Sequence, residues 1–339
     1  MHEISLYPLG MIASKTVGER LPFYPGPGAT RHEITPLFRI ETFFGALANE
    51  AWSSGIGGAG ETWEELVLSQ ALKILGIEEG VSFCGPFLAI GKEVYANVYE
   101  GLLKVAEGNE VSHCLDEYLR LTEWSEGNKS DNEVSSLRYL RRSIIEKSEL
   151  RKKLEKKCLI KVNEIAKKTT HVALNPYTKT ADSNAFGVNA FGMLHSLTYL
   201  DFHALSEREA PRVIVLVNKE VDFEGVLRVG PRSSFYYIKS EGKTMGALEC
   251  LCKHESDKNL IIAETPLDVG IDTNEVVGHP LSDPYISHFR TYEEPSKRER
   301  IRELPRLALR AGAIVKRRVV TIHTVNGREV RVIRSIPIR

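Results

Sequence analysis

No stretch of this chain stays apolar for anything near the roughly eighteen residues that cross a bilayer as a helix. A basic, then apolar, then small-residue leader is also missing from the N-terminus. Both absences predict a cytoplasmic protein with no membrane partner. Cysteine is scarce: 5 residues in 339, an odd number without secretory context, so reduced thiols are expected. Cys250 and Cys252 form the one close pair, which strand alternation would place on one side. A metal site there would need two more ligands and only His254 is near, so the pair reads as buried thiols. The chain also lacks a nucleotide-hydrolase phosphate loop, a dinucleotide fingerprint and a metalloprotease histidine pair. Gly55-Ile56-Gly57-Gly58-Ala59-Gly60 is glycine-rich, but it follows a helix where a phosphate loop must follow a strand, and so it reads as a connection. No cofactor and no metal are expected.

Net charge is absent too, with 45 Lys and Arg against 45 Asp and Glu, but its distribution is uneven. Residues 1–120 hold 8 basic and 16 acidic side chains, a balance of −8, whereas residues 297–339 hold 13 and 3, a balance of +10. Such polarity suits one face that tracks a nucleic acid and another that meets a basic neighbour, and equally suits a solvated surface.

A length of 339 residues predicts two domains, each large enough for its own core. In the first half, Ile4 to Tyr7 alternates as a strand. Thr42 stands at an N-cap position, and Phe43, Leu47 and Ala51 recur every four residues as a buried helical stripe. A second helix is expected near 62–76 and a bulged strand over 81–90. The loop from Pro22 to His32 is too rich in Pro and Gly for regular structure. Residues 113–123 and 133–168 read as helical, the latter with Leu137, Leu140, Ile144 and Ile145 at helical spacing among many basic residues. Beyond residue 170 the pattern turns to strands, expected near 171–174, 192–203, 211–218, 234–239, 247–253, 260–264, 313–323 and 328–335. Short helices are expected near 221–227 and 298–310. Val213, Val215 and Val217 alternate with Ile214 and Leu216, apolar on both faces, which marks a central strand. Periodicity alone gives an α+β class.

The segment Leu227-Arg228-Val229-Gly230-Pro231-Arg232-Ser233-Ser234-Phe235-Tyr236-Tyr237 is the most informative. Gly230 gives the backbone freedom to turn, Arg228 and Arg232 supply cations, and alternation puts Phe235 and Tyr237 on one face with Tyr236 on the other. Single-stranded nucleic acid needs close main-chain approach, positive charge and flat surfaces for its bases. A hairpin turn backed by core aromatics would carry the same residues.

The order of these signals resembles the RAMP superfamily of CRISPR effector proteins. Pro36 to Ala48 is similar to the family's first helix, with Thr42 ahead of a hydrophobic-Gly45-Ala46-Leu47 run. His171 to Lys179 and Gly192 to Tyr199 resemble the segments that open its second half, with Asn175-Pro176-Tyr177 in the intervening loop. The turn at 227–237 stands where the family has a glycine-rich loop and holds one glycine, and Ala311 to Ile338 is similar to its closing hairpin. The likeness is strongest to the branch that holds the five-prime tag of guide RNA in type III complexes. It implies two ferredoxin-like (RRM-like) domains with helical and loop insertions, over 1–165 and 166–339. It further implies guide RNA, a large signature subunit and a backbone RAMP subunit as partners. The RNA-binding set it implies, together with the basic turn, is Arg31, Arg39, Lys179, Arg228, Gly230, Arg232, Ser233 and Tyr236. Some RAMP nucleases place a histidine in the loop after the first strand, where His32 stands beside Arg31. No second acid or base accompanies it, so the expectation is a non-catalytic subunit, with metal-independent cleavage of repeat RNA as the alternative. His195 lies among apolar residues as a core histidine, and His279 and His288 flank a loop without an evident partner.

Overall fold

A computed structural model describes residues 1–13, 15–20, 30–60, 62–98, 101–127, 149–172, 194–230, 234–244, 246–272, 275–277, 285–292 and 301–338. Val213, Ile214, Val215, Leu216 and Val217 are all fully buried, and the strand they form sits inside an eleven-stranded sheet, as its doubly apolar pattern demands. The strands of this sheet, numbered in chain order, are β1 (His2–Pro8), β2 (Val81–Ile90), β3 (Glu93–Val98), β4 (Gly101–Glu107), β5 (Glu110–Val111) and β6 (Leu159–Lys161). They continue with β7 (Arg212–Val217), β8 (Glu224–Arg228), β9 (Phe235–Lys243), β10 (Val320–Val325) and β11 (Arg328–Ile333). The main path runs β8-β9-β1-β7-β2-β3-β4-β5, with antiparallel neighbours throughout. β11 adds to β2 in parallel, β10 pairs with β11, and β6 pairs with β4. Strands from both sides of residue 165 therefore share one sheet.

The bulge expected in β2 is present. Leu216 pairs with Cys84 and Ile214 with Phe87, so an extra residue is accommodated at Gly85-Pro86, a cis peptide. Before this point β2 lies beside β11 and after it beside β3.

Helices cover both faces of the sheet's middle. α1 (Ile40–Ser53) and α2 (Trp63–Ile74) pack Phe43, Phe44, Leu47, Leu68 and Leu72, with Leu75 at the C-cap of α2, against one face, joined by Ile4, Leu6, Phe83, Val213 and Val215. Thr62 caps α2 by accepting a hydrogen bond from the Glu65 amide, 3.2 Å. The opposite core gathers Phe87, Ile214 and Leu216 beneath α3 (Cys114–Gly127), α4 (Glu149–Lys157) and α5 (Gly246–Lys253). Smaller sheets lie outside this body, among them the pairs Lys15–Arg20 with Thr30–Thr35 and Tyr285–Tyr292 with Ile301–Leu309.

Several expectations need correction. Residues 247–253 are helical and not a strand, because Ala247, Leu248, Leu251 and Cys252 bury one helical stripe. The helices expected near 221–227 and 298–310 are instead β8 and the strand Ile301–Leu309, each held by an antiparallel partner. α1 begins two residues before the expected cap, with Arg39 at the N-cap. Described helix in the basic region ends at Lys157 and gives way to β6, a single turn Val162–Ile165 and the strand Ala166–Val172. The earlier part of that helix, 133–148, lies outside the described residues. Thiols expected to be reduced are paired: Cys84 with Cys252, and Cys114 with Cys158, with Cys250 outside both disulfides.

Candidate nucleic-acid interface

At the β8-β9-β1 end of the sheet, side-chain alternation separates two faces. Tyr236 and Ile238 point into the core with α1, and Tyr236 is 1% exposed, its ring edge-on to Phe38 at 5.9 Å. Burial raises its hydroxyl pKa. No surface of Tyr236 is open to a base, so the aromatic expected to bind RNA belongs to the core. Its neighbours occupy the other face. Register aligns Val226, Tyr237 and Tyr7 in one row across the three strands. A second row holds Arg228 beside Phe235, and the Leu9 amide donates to the Phe235 carbonyl at 3.0 Å. Phe235, Val226 and Leu9 are exposed by 44%, 54% and 57%, an apolar cluster that water meets directly.

Carboxylates fix the two tyrosines of this face. Tyr7 donates its hydroxyl hydrogen bond to Glu241 Oε1 at 2.6 Å, and Tyr237 donates to Glu224. Burial, then the bond to Glu241, pushes the Tyr7 hydroxyl up to about 12, while the Glu224 bond raises that of Tyr237. Both rings stay neutral at ordinary pH, with centroids 6.3 Å apart and planes tilted by 38°. Deeper on the same face, Arg212 Nε meets Glu3 Oε1 at 3.0 Å and Ser5 Oγ donates to the same oxygen at 2.7 Å. An exposed sheet face with aromatic and basic residues is a platform on which unpaired bases stack.

Above the platform, the β8-β9 hairpin closes with the Val229 amide donating to the Ser234 carbonyl at 2.9 Å. Gly230 adopts φ +96°, a left-handed conformation that favours glycine, and no atom approaches the place of a Cβ within 4 Å. Arg228 is exposed beside it. Arg232 and Ser233 lie outside the described residues, as does Lys179. The structure brings Arg228 and Gly230 together with Phe235 and Tyr237, and sets the other described candidates elsewhere. Arg39 faces inward, 3.5 Å from Glu264 at the start of α1. Arg31 and His32 sit on the strand Thr30–Thr35, a correction to the irregular loop expected there. His195 pairs in backbone register with His171. His279 lies outside the described residues, and His288 is on the strand Tyr285–Tyr292. Tyr7 was overlooked because its place beside Tyr237 depends on pairing across more than two hundred residues; its position in an alternating strand was the only local signal.

A cleft of about 410 Å³ lies on another part of the molecule, lined by Asn109, Glu110, Ser112, Asp116, Gly246 and Cys250 among others. Its carboxylates suit it poorly to a phosphate.

The architecture defines an α+β protein built on one broad, mostly antiparallel sheet with few helices. No protein-family model matches the chain, and curated proteins show no match to its sequence. Solved structures do share its fold. One is a chain from the cryo-EM structure of the Type III-B Cmr-beta bound to cognate target RNA and AMPPnP, state 1. It is 15% identical, with a TM-score of 0.55 over 93% of this chain and 86% of that one. A chain from the Type III-B Cmr-beta bound to cognate target RNA is 17% identical, with a TM-score of 0.52 and the same coverage. Among the described residues no helix is long and apolar enough to cross a membrane.

Proposed function

We propose that this chain is a non-catalytic, cytoplasmic RNA-binding subunit of a type III CRISPR effector complex, and that it holds the five-prime tag of the guide RNA. The observation that carries this reading is a fold shared over 93% of the chain with chains of RNA-bound Type III-B Cmr-beta. The resemblance to tag-holding RAMP proteins supplies the more specific role, with two ferredoxin-like halves, 1–165 and 166–339, joined in one sheet. The exposed hairpin and platform support it chemically: Arg228 and Arg232 neutralise phosphates, Gly230 allows close backbone approach, and Phe235, Tyr237 and Tyr7 offer surfaces to splayed bases. Arg31, Lys179 and Ser233 extend the path along the RNA.

Recognition of a short single-stranded tag needs pockets for individual bases, and a neighbouring subunit readily completes such pockets. Binding by the isolated chain is therefore weak and salt-sensitive, and becomes tight and tag-dependent on assembly with a large signature subunit and a backbone RAMP subunit. The test compares RNAs with intact and scrambled tags, with and without those partners, in EDTA. Equal affinity for both tags in the full assembly refutes the tag-reading role. Discrete cleavage of repeat RNA by wild type, lost in His32→Ala with binding retained, establishes the nuclease alternative instead.

A further inference from the structure

On the sheet's other core, away from the RNA platform, one turn of helix and one helix end converge on a pair of sulfurs. His113 directly precedes α3, Cys114 opens it, and Cys158 follows α4; one ring nitrogen and the two sulfurs lie within 4.8 Å of one another. A fourth donor stands beside the Cys158 sulfur. The Glu117 carboxylate, on a residue only 8% exposed, is 3.9 Å from the Cys158 sulfur. His113 and Glu117 are four residues apart and share a helix face, with the Glu117 amide donating to the His113 carbonyl at 3.1 Å. A disulfide between Cys114 and Cys158 needs neither the imidazole nor the carboxylate. Two sulfurs and an imidazole converge here, and the Glu117 carboxylate beside one of the sulfurs supplies the fourth member of a donor set typical of zinc.

We propose that the reduced chain binds Zn²⁺ through His113, Cys114, Glu117 and Cys158, so that one locus closes either as a disulfide or as a metal site. Both halves of this locus are already positioned. The Ser112 amide donates to the Val105 carbonyl at 2.9 Å and the Lys104 amide donates to the Cys158 carbonyl at 2.8 Å, so adjacent residues of β4 hold the two ligand-bearing segments. Ser112 Oγ also accepts from the Cys114 amide at 3.2 Å. His113 is exposed and gives the ion its way in, whereas both cysteines are buried. Opening the disulfide consumes two electrons and two protons from a dithiol reductant, which leaves as its own disulfide. Zn²⁺ then displaces the two thiol protons, and the sulfurs separate to about 3.8 Å, as tetrahedral Zn–S bonds of about 2.3 Å require. The ion takes over the disulfide's task of tying α3 to the end of α4 against β4.

The test uses the full chain, once reduced with a phosphine and once oxidised, each exposed to Zn²⁺ and then desalted. The reduced form is expected to keep one equivalent of zinc by elemental analysis and the oxidised form none. With Co²⁺ as a spectroscopic substitute, the reduced form should show a thiolate-to-metal charge-transfer band. That band should vanish in Cys114→Ser/Cys158→Ser and persist in Cys250→Ser, which removes the cysteine outside both disulfides. His113→Ala, at an exposed position that leaves the core intact, should weaken Zn²⁺ binding by about tenfold or more. Absence of zinc and of the band in the reduced wild type overturns the proposal, and so does unchanged affinity in folded His113→Ala.

Discussion

On β9 the inward residues Tyr236 and Ile238 are buried beside α1, whereas the outward residues Phe235 and Tyr237 meet solvent beside Arg228 and Val226. Two adjacent tyrosines thus occupy opposite environments, because a strand turns successive side chains to opposite faces and only one face here is covered by a described helix. By contrast, β7 is apolar on both sides and has a core on each. The difference shows that, among the described residues, what sets the outward face of this edge apart is the lack of a covering helix and not its residue types. Tyr236→Ala is the most damaging way to probe this contrast, since it empties a fully buried site, and it should lower stability by about 3–5 kcal/mol in denaturant unfolding. Tyr237→Ala should change stability by about 0.5 kcal/mol or less. Equal losses would break the comparison.

The covered side has an electrostatic fastening of its own, at the start of α1. Glu41, in the first turn of α1, pairs with Arg334, which is 5% exposed and also donates to Thr321 Oγ1 at 2.9 Å. Burial of the carboxyl would raise its pKa, but the charge and hydrogen bond of Arg334, with the charge of Arg39, outweigh that effect and hold it at about 2. A carboxylate whose folded pKa lies below its ordinary 4.5 contributes stability that is complete above that value. That contribution fades as pH falls from about 4.5 towards 2, when the folded form must also take up the proton. Arg334→Met should cost about 1–2 kcal/mol at neutral pH by removing the partner of a carboxylate whose side chain is 40% exposed. It should also flatten this part of the acid unfolding curve; an unaltered acid limb would show that the pair does not fasten α1.

The residues that were legible in the sequence are those whose partners are local or whose pattern admits one solution. Phe43, Leu47 and Ala51 specify a helix by spacing alone, and Val213 to Val217 specify a central strand by being apolar throughout. Segment 247–253 was misread because Cys250 and Cys252 suggest alternation, while the stripe of Ala247, Leu248, Leu251 and Cys252 has helical spacing. β8 and the strand Ile301–Leu309 owe their conformation to pairing with β9 and with Tyr285–Tyr292, and no local propensity reports a partner. At the candidate site, the outward pairing of Phe235 with Tyr237 was readable from alternation. Which face would be covered was not, and this misplaced Tyr236. The disulfides join cysteines 168 and 44 residues apart, distances at which spacing carries no information.

An effect of similar size tests the open face directly. Base stacking on an aromatic side chain contributes about 1–3 kcal/mol per base, so Phe235→Ala and Tyr237→Ala should each weaken guide-RNA binding by that amount in the assembled complex. Phe38→Ala, on the covered side against Tyr236, should reduce stability and leave the affinity of the folded fraction unchanged. If Phe38→Ala and Tyr237→Ala weaken binding alike, the platform is not a contact surface.

The smallest effect concerns charge at the hairpin. Each phosphate neutralised on a single strand releases condensed counterions and contributes about 0.7 to the slope of log affinity against log salt. Arg228→Ala combined with Arg232→Ala should therefore flatten that slope by about 1.4 or less, with little change between RNA sequences, because phosphate contacts position a strand without reading its bases. The aromatic substitutions should do the reverse, lowering affinity while keeping the slope, since stacking releases no counterions. This separation is sharper than either affinity alone: a double arginine variant that lowers affinity equally at low and high salt would place these cations in folding, and the platform would then have to hold RNA through its rings.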